Sequence, residues 1–228
     1  MARQIHEQNL NTEPSMRSWL ETLERAGQLT HVRKADGLYI ADQVQSGFGR
    51  TGRMWGHEVS GPVPDIVTLG KLMGNGHPVA GVVTRADLAN EFRDRVMYFN
   101  TFGGNPVSCA VGLAVLEVIE QEELVTNARE VRVYLRNEFA ILKDKYDLIG
   151  DVRGHGLFFG AKMVLDRDKK TPAPVETRRI VNQMKDHGIL LSNIGVHDNI
   201  LKMRPPLPFS RDNADLLIST LDGILAGL

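Results

Sequence analysis

Three short apolar runs, LYIAD (38–42), IVTLGK (66–71) and VAGVVT (79–84), constrain the fold of this chain more than any other feature, because few polar residues alternate within them. A strand that alternates can leave one face to water, whereas a strand apolar on both sides belongs in a sheet covered above and below. Helical periodicity follows the strands, so the class is α/β. ADLANEFRDRV (86–96) reads as a connecting helix, and Asn105-Pro106 offers an N-cap followed by proline at the first helical position. The long helix beginning there keeps its apolar pattern to about Ile119, and a second helical stretch runs from 122–124 to near Tyr146.

A boundary is expected between those two helices, dividing the chain into 1–121 and 122–228. Beyond it LIGDVRG (148–154) and GLFFGAKMV (156–164) read as strands, VETRRIVNQMKDHG as a helix, ILLS and ILKMR as short strands, and a closing helix starts after Ser210. That order is α+β, with helices on one face of a small, largely antiparallel sheet. DRDKKTPAP (166–174) reads as an exposed loop. At the other end, residues 1–14 are polar, aperiodic and expected to be disordered, while Met16, Trp19, Leu20 and Leu23 fall at helical spacing and predict a helix over 15–26.

Composition removes several function classes. The 27 Lys and Arg balance 28 Asp and Glu, leaving no broad positive field, so no nucleic-acid partner is expected. No apolar stretch approaches the ~20 residues needed to cross a bilayer, and the amino terminus lacks the apolar core of a signal peptide; no membrane role and a cytoplasmic location are the expectation. His57, His77, His155, His187 and His197 show no ligand spacing, so no metal is expected. Cys109, inside the periodic run SCAVGLAVLEVI, is expected to pack as a small hydrophobe.

GFGRTG at 47–52 matches the dinucleotide pattern G-x-G-x-x-G. That reading requires a helix to open on the glycines. The segment that follows, RMWGHEVSGPVPD, is too rich in glycine and proline to sustain one, and a nicotinamide or flavin site is rejected.

The segments IADQVQSGFGRTG, DIVTLGKLMGNGHPVAGV and NTFGGNPVSCA, in this order and spacing, resemble three signature regions of the class III aminotransferases. DVRGHGLFFGAKMV and GILLSNIGVHDNILKMRPPLPFS resemble that family's small domain. The resemblance covers residue 36 to the end and implies pyridoxal phosphate (PLP) fold type I: the carboxyl-terminal part of the large, cofactor-binding domain, followed by the small α+β domain. It also implies a homodimer with active sites at the subunit interface.

By the same resemblance, Asp42 keeps the cofactor's ring nitrogen protonated, which is what makes the ring an electron sink. Lys71 forms the Schiff base and afterwards carries the proton between substrate and cofactor, for which its amine must be neutral. Val44 packs on the ring, Gln45 bonds near the phenolic oxygen, and Thr101 reaches the phosphate held by the other subunit. Lys202 stands where many members carry an arginine for the substrate carboxylate, with Arg204 two residues on and on the same strand face; lysine there is a point charge and not a planar fork. Gln43 replaces a common glutamate, a charge lost near the site.

The implied reaction is transfer of an amino group between an amine or amino acid and a 2-oxo acid. GNGHPVAGV with LKMRPP resembles the subgroup that joins alanine-glyoxylate transaminases to phospho-lyases of ethanolamine phosphate, so elimination of phosphate is the alternative. The family's earlier half supplies the main phosphate-binding turn and an aromatic ring stacker, neither of which is identifiable here. A truncated form with an incomplete site is therefore expected, and a catalytically silent fragment is the remaining reading.

Overall fold

Strand β1 (Ile40–Asp42) and strand β2 (Ile66–Leu69) pair in parallel, with Ile40 opposite Ile66 and Asp42 opposite Thr68. Strand β3 (Gly81–Thr84) adds to β2 in the antiparallel sense, so the sheet order is β1-β2-β3. The computed structural model describes residues 37–228, and Tyr39–Leu228 form one compact unit. The expected irregular segment 1–14 and helix 15–26 lie outside the described residues.

Each strand is shorter than its apolar run, because Gly70 and the turn at 71–73 end β2 before Lys71. The two-sided cover anticipated for this sheet is not supplied by the described residues: Ile40, Val82 and Val83 remain exposed, and Met97, Phe99 and Phe102 after helix α1 (Ala86–Arg95) stand almost fully in solvent.

Helix α2 (Pro106–Gln121) starts as its sequence dictates. Asn105 accepts hydrogen bonds from the Val107 and Ser108 amides, and Pro106 occupies the first turn, where its missing N–H costs nothing. Glu123, in the left-handed region, separates α2 from helix α3 (Leu124–Lys145). Cys109 is exposed on α2, contrary to the packing expected of it. The apolar run in α2 is apolar nearly all round, so periodicity did not distinguish its covered face; Gly112 and Ile119 are the residues it buries.

Strands β4 (Ile149–His155), β5 (Phe158–Asp166), β6 (Thr171–Pro172), β7 (Ser192–Ile194) and β8 (Ile200–Met203) form an antiparallel sheet ordered β4-β5-β8-β7, with β6 on β5. Helices α3, α4 (Pro174–Asp186) and α5 (Arg211–Ala226) share its core. Phe159, Ala161 and Met163 of β5 alternate into that core, as do Leu201 and Met203 of β8, which is the period of two expected of a half-covered sheet. Leu135 and Phe139 of α3, Ile180 and Met184 of α4, and Leu221 of α5 close over them. The Phe139 and Phe159 rings meet edge to face at 5.7 Å. Helix α5 begins with a capping box between Ser210 and Asn213.

The strand expected at ILLS forms three residues later, as β7, because Gly188 ends α4 with a turn that occupies the start of that run.

Candidate active site

In a parallel pair, side chains at the carboxyl ends of adjacent strands converge on one edge, and open α/β sheets bind ligands there. Asp42 is the last residue of β1, and Lys71 follows the end of β2 by two. Asp42 Oδ1 accepts from the Val44 amide at 3.0 Å and takes a long 3.5 Å contact from the Thr68 hydroxyl. The carboxylate is thus held by one oxygen and stays exposed.

Lys71 opens a short 3-10 turn, Lys71–Met73, closed by the Met73 amide on the Gly70 carbonyl at 2.7 Å. Its own φ is +21°, on the positive side that a side chain resists. Such a conformation costs energy and is held only where surroundings impose it. Val44 lies against the backbone of Gly70, where an added Cβ would sit 3.4 Å from a valine methyl. Val44 and the backbone leading into Lys71 therefore lie side by side at the strand ends.

The loop after β1 is organised around Gln43. The Gln43 amide extends the parallel ladder onto the Thr68 carbonyl at 2.9 Å. Gln43 Oε1 accepts from the Gly56 amide at 2.6 Å and the Ser46 hydroxyl at 3.2 Å. Gln43 is only 4% exposed, so this side chain turns into the loop, away from the mouth of the site. Both contacts use an acceptor oxygen, which a glutamate also has. Phe48 packs edge to face on Trp55 at 5.3 Å.

No helix opens on 47–52, and the glycines serve close packing instead. Gly52, at φ +78°, lies where a Cβ would come within 3.3 Å of the Arg129 backbone on α3. Gly156, in the β4–β5 turn at φ +51°, leaves no room at all, since a Cβ would sit 2.3 Å from the Thr51 carbonyl carbon. The Leu157 amide donates to the Arg50 carbonyl at 2.9 Å.

Two arginines fasten the same loop to the end of β8. Arg50, nearly buried, donates to the Pro205 carbonyl. Arg204 donates to Gln45 Oε1. Burial, and then the charge of Arg204, hold Arg50 below the usual guanidinium range. No local pattern marks these residues, because each partner lies far along the chain.

Lys202 is half-buried on β8, on the face opposite Leu201 and Met203. Burial lowers the pKa of its ammonium first, and the charges of Arg204 and Lys71 add to the effect. Lys202 thus lies within electrostatic reach of Arg204 and Lys71. Thr101 is not joined to this group by any hydrogen bond among the described residues. It occupies an exposed turn organised by Asn100, whose side-chain oxygen accepts from the Phe102 and Gly103 amides.

A cavity of about 500 Å³ lies elsewhere, lined by Phe48, Arg50, Leu72, Val115 and Leu207 among others. Its lining does not include Asp42, Lys71 or Lys202. Among the described residues no cluster of acids, histidines or cysteines is arranged for a metal ion, and no helix is long and apolar enough to cross a membrane.

Comparison with known proteins converges on one family. The family model described as aminotransferase class-III matches residues 18–225. The chain is 51% identical, over 84% of its length, to alanine-glyoxylate aminotransferase 2 homolog 2, mitochondrial, of Arabidopsis thaliana, of which it covers 40%. It superposes on a phospholyase from Arthrobacter in complex with phosphoethanolamine with a TM-score of 0.83 and 48% identity, covering 90% of this chain and 49% of that one. An amine transaminase from an uncultivated Pseudomonas species, solved with PLP bound, gives a TM-score of 0.77 at 32% identity, covering 92% of this chain and 47% of that one. The chain thus spans less than half the length of these relatives.

The family's cofactor is PLP, and the side chains gathered here fit it. A strand-end carboxylate has one oxygen unengaged, a valine and an amide stand beside it, and a lysine rises from the neighbouring strand end. With a matching fold and a family model covering nearly its whole length, the chain belongs to the class III aminotransferases.

Proposed function

We propose that this chain carries the lysine-bearing part of a PLP-dependent transaminase that moves an amino group between an amine or amino acid and a 2-oxo acid. The observation that carries the reading is the register of β1 and β2, which sets Asp42 opposite Thr68 and brings Lys71 to the same edge. When bound, PLP supplies an electron-poor ring that stabilises negative charge on the substrate carbon.

The protein's own groups divide the remaining work. Lys71 holds the cofactor through its amine and, once released, moves the proton on the substrate carbon. Asp42 faces the ring nitrogen and keeps its proton. Val44 covers one ring face, and Gln45 bonds near the phenolic oxygen. Lys202 receives the substrate's carboxylate. Thr101 donates to the phosphate of a cofactor held by a second copy, in a homodimer whose large domain ends near residue 121 and whose small domain spans 122–228. The family's other half supplies the phosphate turn, so the residues present here make part of a site, working in the cytoplasm.

The second reading, a phospho-lyase acting on a phosphorylated amino alcohol, draws support from the charges of Arg204 and Lys71 within reach of Lys202 and from the likeness to the Arthrobacter enzyme. Borohydride reduction of the PLP-treated chain, followed by peptide mapping, tests the common core: a pyridoxyl group on Lys71 is expected. A protein that stays colourless and unlabelled overturns both enzyme readings and leaves a catalytically silent fragment. Formation of a keto product from alanine, against release of inorganic phosphate from phosphoethanolamine, then separates transaminase from phospho-lyase.

A further inference from the structure

A carboxamide has two ends of similar size and opposite hydrogen-bonding sense, so an unrestrained glutamine offers a donor or an acceptor after a half-turn of its last torsion. At Gln45 that freedom is removed. Arg204 Nη1 donates to Gln45 Oε1, and because a guanidinium has donors only, the flipped amide would set N–H against N–H. With Oε1 committed to Arg204, the Nε2 group is the free end of the side chain.

Arg204 is itself placed from both sides. Met203 before it is buried and pairs with Phe159 across the sheet. Pro205 after it gives its carbonyl to the nearly buried Arg50. The guanidinium lies 6.0 Å from the Phe158 ring centroid, and among the described residues no carboxylate pairs with it. An arginine anchored by its neighbours and directed at a neutral amide is not performing ordinary charge neutralisation.

The geometry points to Arg204 as a positioning residue that locks the Gln45 carboxamide, so that Nε2 is presented as a donor to the phenolic oxygen of bound PLP. This rests on the proposed placement of Gln45 beside the cofactor and adds what fixes its orientation. Arg204 acts through Gln45, while Lys202, on the same strand face, keeps the anion contact.

The test is a double-mutant cycle read by absorbance. In the full chain loaded with PLP, a donor to the phenolic oxygen stabilises its anion and lowers the pH midpoint of the bound cofactor's spectral change. In R204M and in Q45L the midpoint is expected to rise by about one pH unit. R204K keeps a donor for Oε1 and restores most of the shift. R204M/Q45L rises no further than either single variant, because both remove the same contact. R204A is read alongside R204M so that the result does not hang on the folding of one variant. Additive shifts mean that the arginine charge acts directly on the cofactor, and they overturn the inference, as does an unchanged midpoint in R204M; labelling of Lys71 survives in either case. A wild-type chain that takes up no PLP overturns the proposed function and this inference together.

Discussion

Asp42 and Lys71 rise from the ends of two parallel strands in direct register, Asp42 facing Thr68 across the ladder and Lys71 three residues beyond Thr68. The acid and the amine form no ion pair with each other in the structure, and both are exposed.

Removal of the acid is expected to separate binding from chemistry. Asp42→Asn keeps an acceptor for the Val44 amide but loses the charge that holds a proton on the ring nitrogen. PLP uptake persists, and turnover falls by about tenfold to a hundredfold, the worth of a hydrogen bond to a charged group. Single-turnover absorbance with an amino donor checks it.

Removal of the amine is expected to spare the fold. Lys71 is exposed, and its φ of +21° suits a residue without a side chain. Lys71→Ala loses the borohydride-fixed label entirely, while stability stays within about 0.5 kcal/mol of the parent. Lys71→Gly melts at the same temperature or slightly higher, because the backbone conformation is then unopposed. Thermal melting and peptide mass measure both.

Anion binding at Lys202 is expected to weaken with rising pH earlier than an ordinary lysine would allow. Its folded pKa is lowered by burial and by two neighbouring cations, so the charged form is disfavoured in the folded state. That disadvantage is present at neutral pH and lifts as pH rises through the lowered pKa toward the unfolded value, leaving the protein slightly more stable and the anion site uncharged. Affinity for a simple 2-oxo acid, titrated from neutral pH to about pH 10, falls across that window. Lys202→Arg flattens the fall, since guanidinium stays protonated.

The core predicts a third kind of response. Phe139 is fully buried against Phe159, and Phe139→Ala is expected to cost about 3–5 kcal/mol in urea unfolding. Gly156→Ala acts differently. Its Cβ has no space beside Thr51 and its φ is positive, so the β4–β5 turn must withdraw from the 50–52 loop. Loss of stability is then accompanied by weaker PLP binding, measured by fluorescence titration, whereas Phe139→Ala near the parent's temperature of maximum stability leaves that affinity alone.

The elements were legible wherever the signal was local. Asn105-Pro106, Ser210 and the alternation of Phe159, Ala161 and Met163 declare their helix starts and their buried strand face within a few residues. Asp42 and Lys71 were legible as strand-end residues, since one closes and the other follows a short apolar run. The bonds from Arg50 to Pro205 and from Arg204 to Gln45 were not, because they depend on how the small sheet docks on the loop, a relation that no sequence window contains. Gly52 of GFGRTG is likewise placed by distant contacts, with Arg129 and Gly156. Cys109 shows the opposite failure, since uniform apolar composition around it hid which side of α2 is covered.

The bonds from Arg50 to Pro205 and from Arg204 to Gln45 join positions 155 and 159 residues apart. Loops of that span close late, after local structure has formed. During synthesis Lys71 therefore leaves the ribosome long before Arg204, and the loop after β1 gains its distant anchors only with the closing strand. A protease that trims the chain ahead of Pro205 would leave Lys71 in place yet release the grip on the loop beside it.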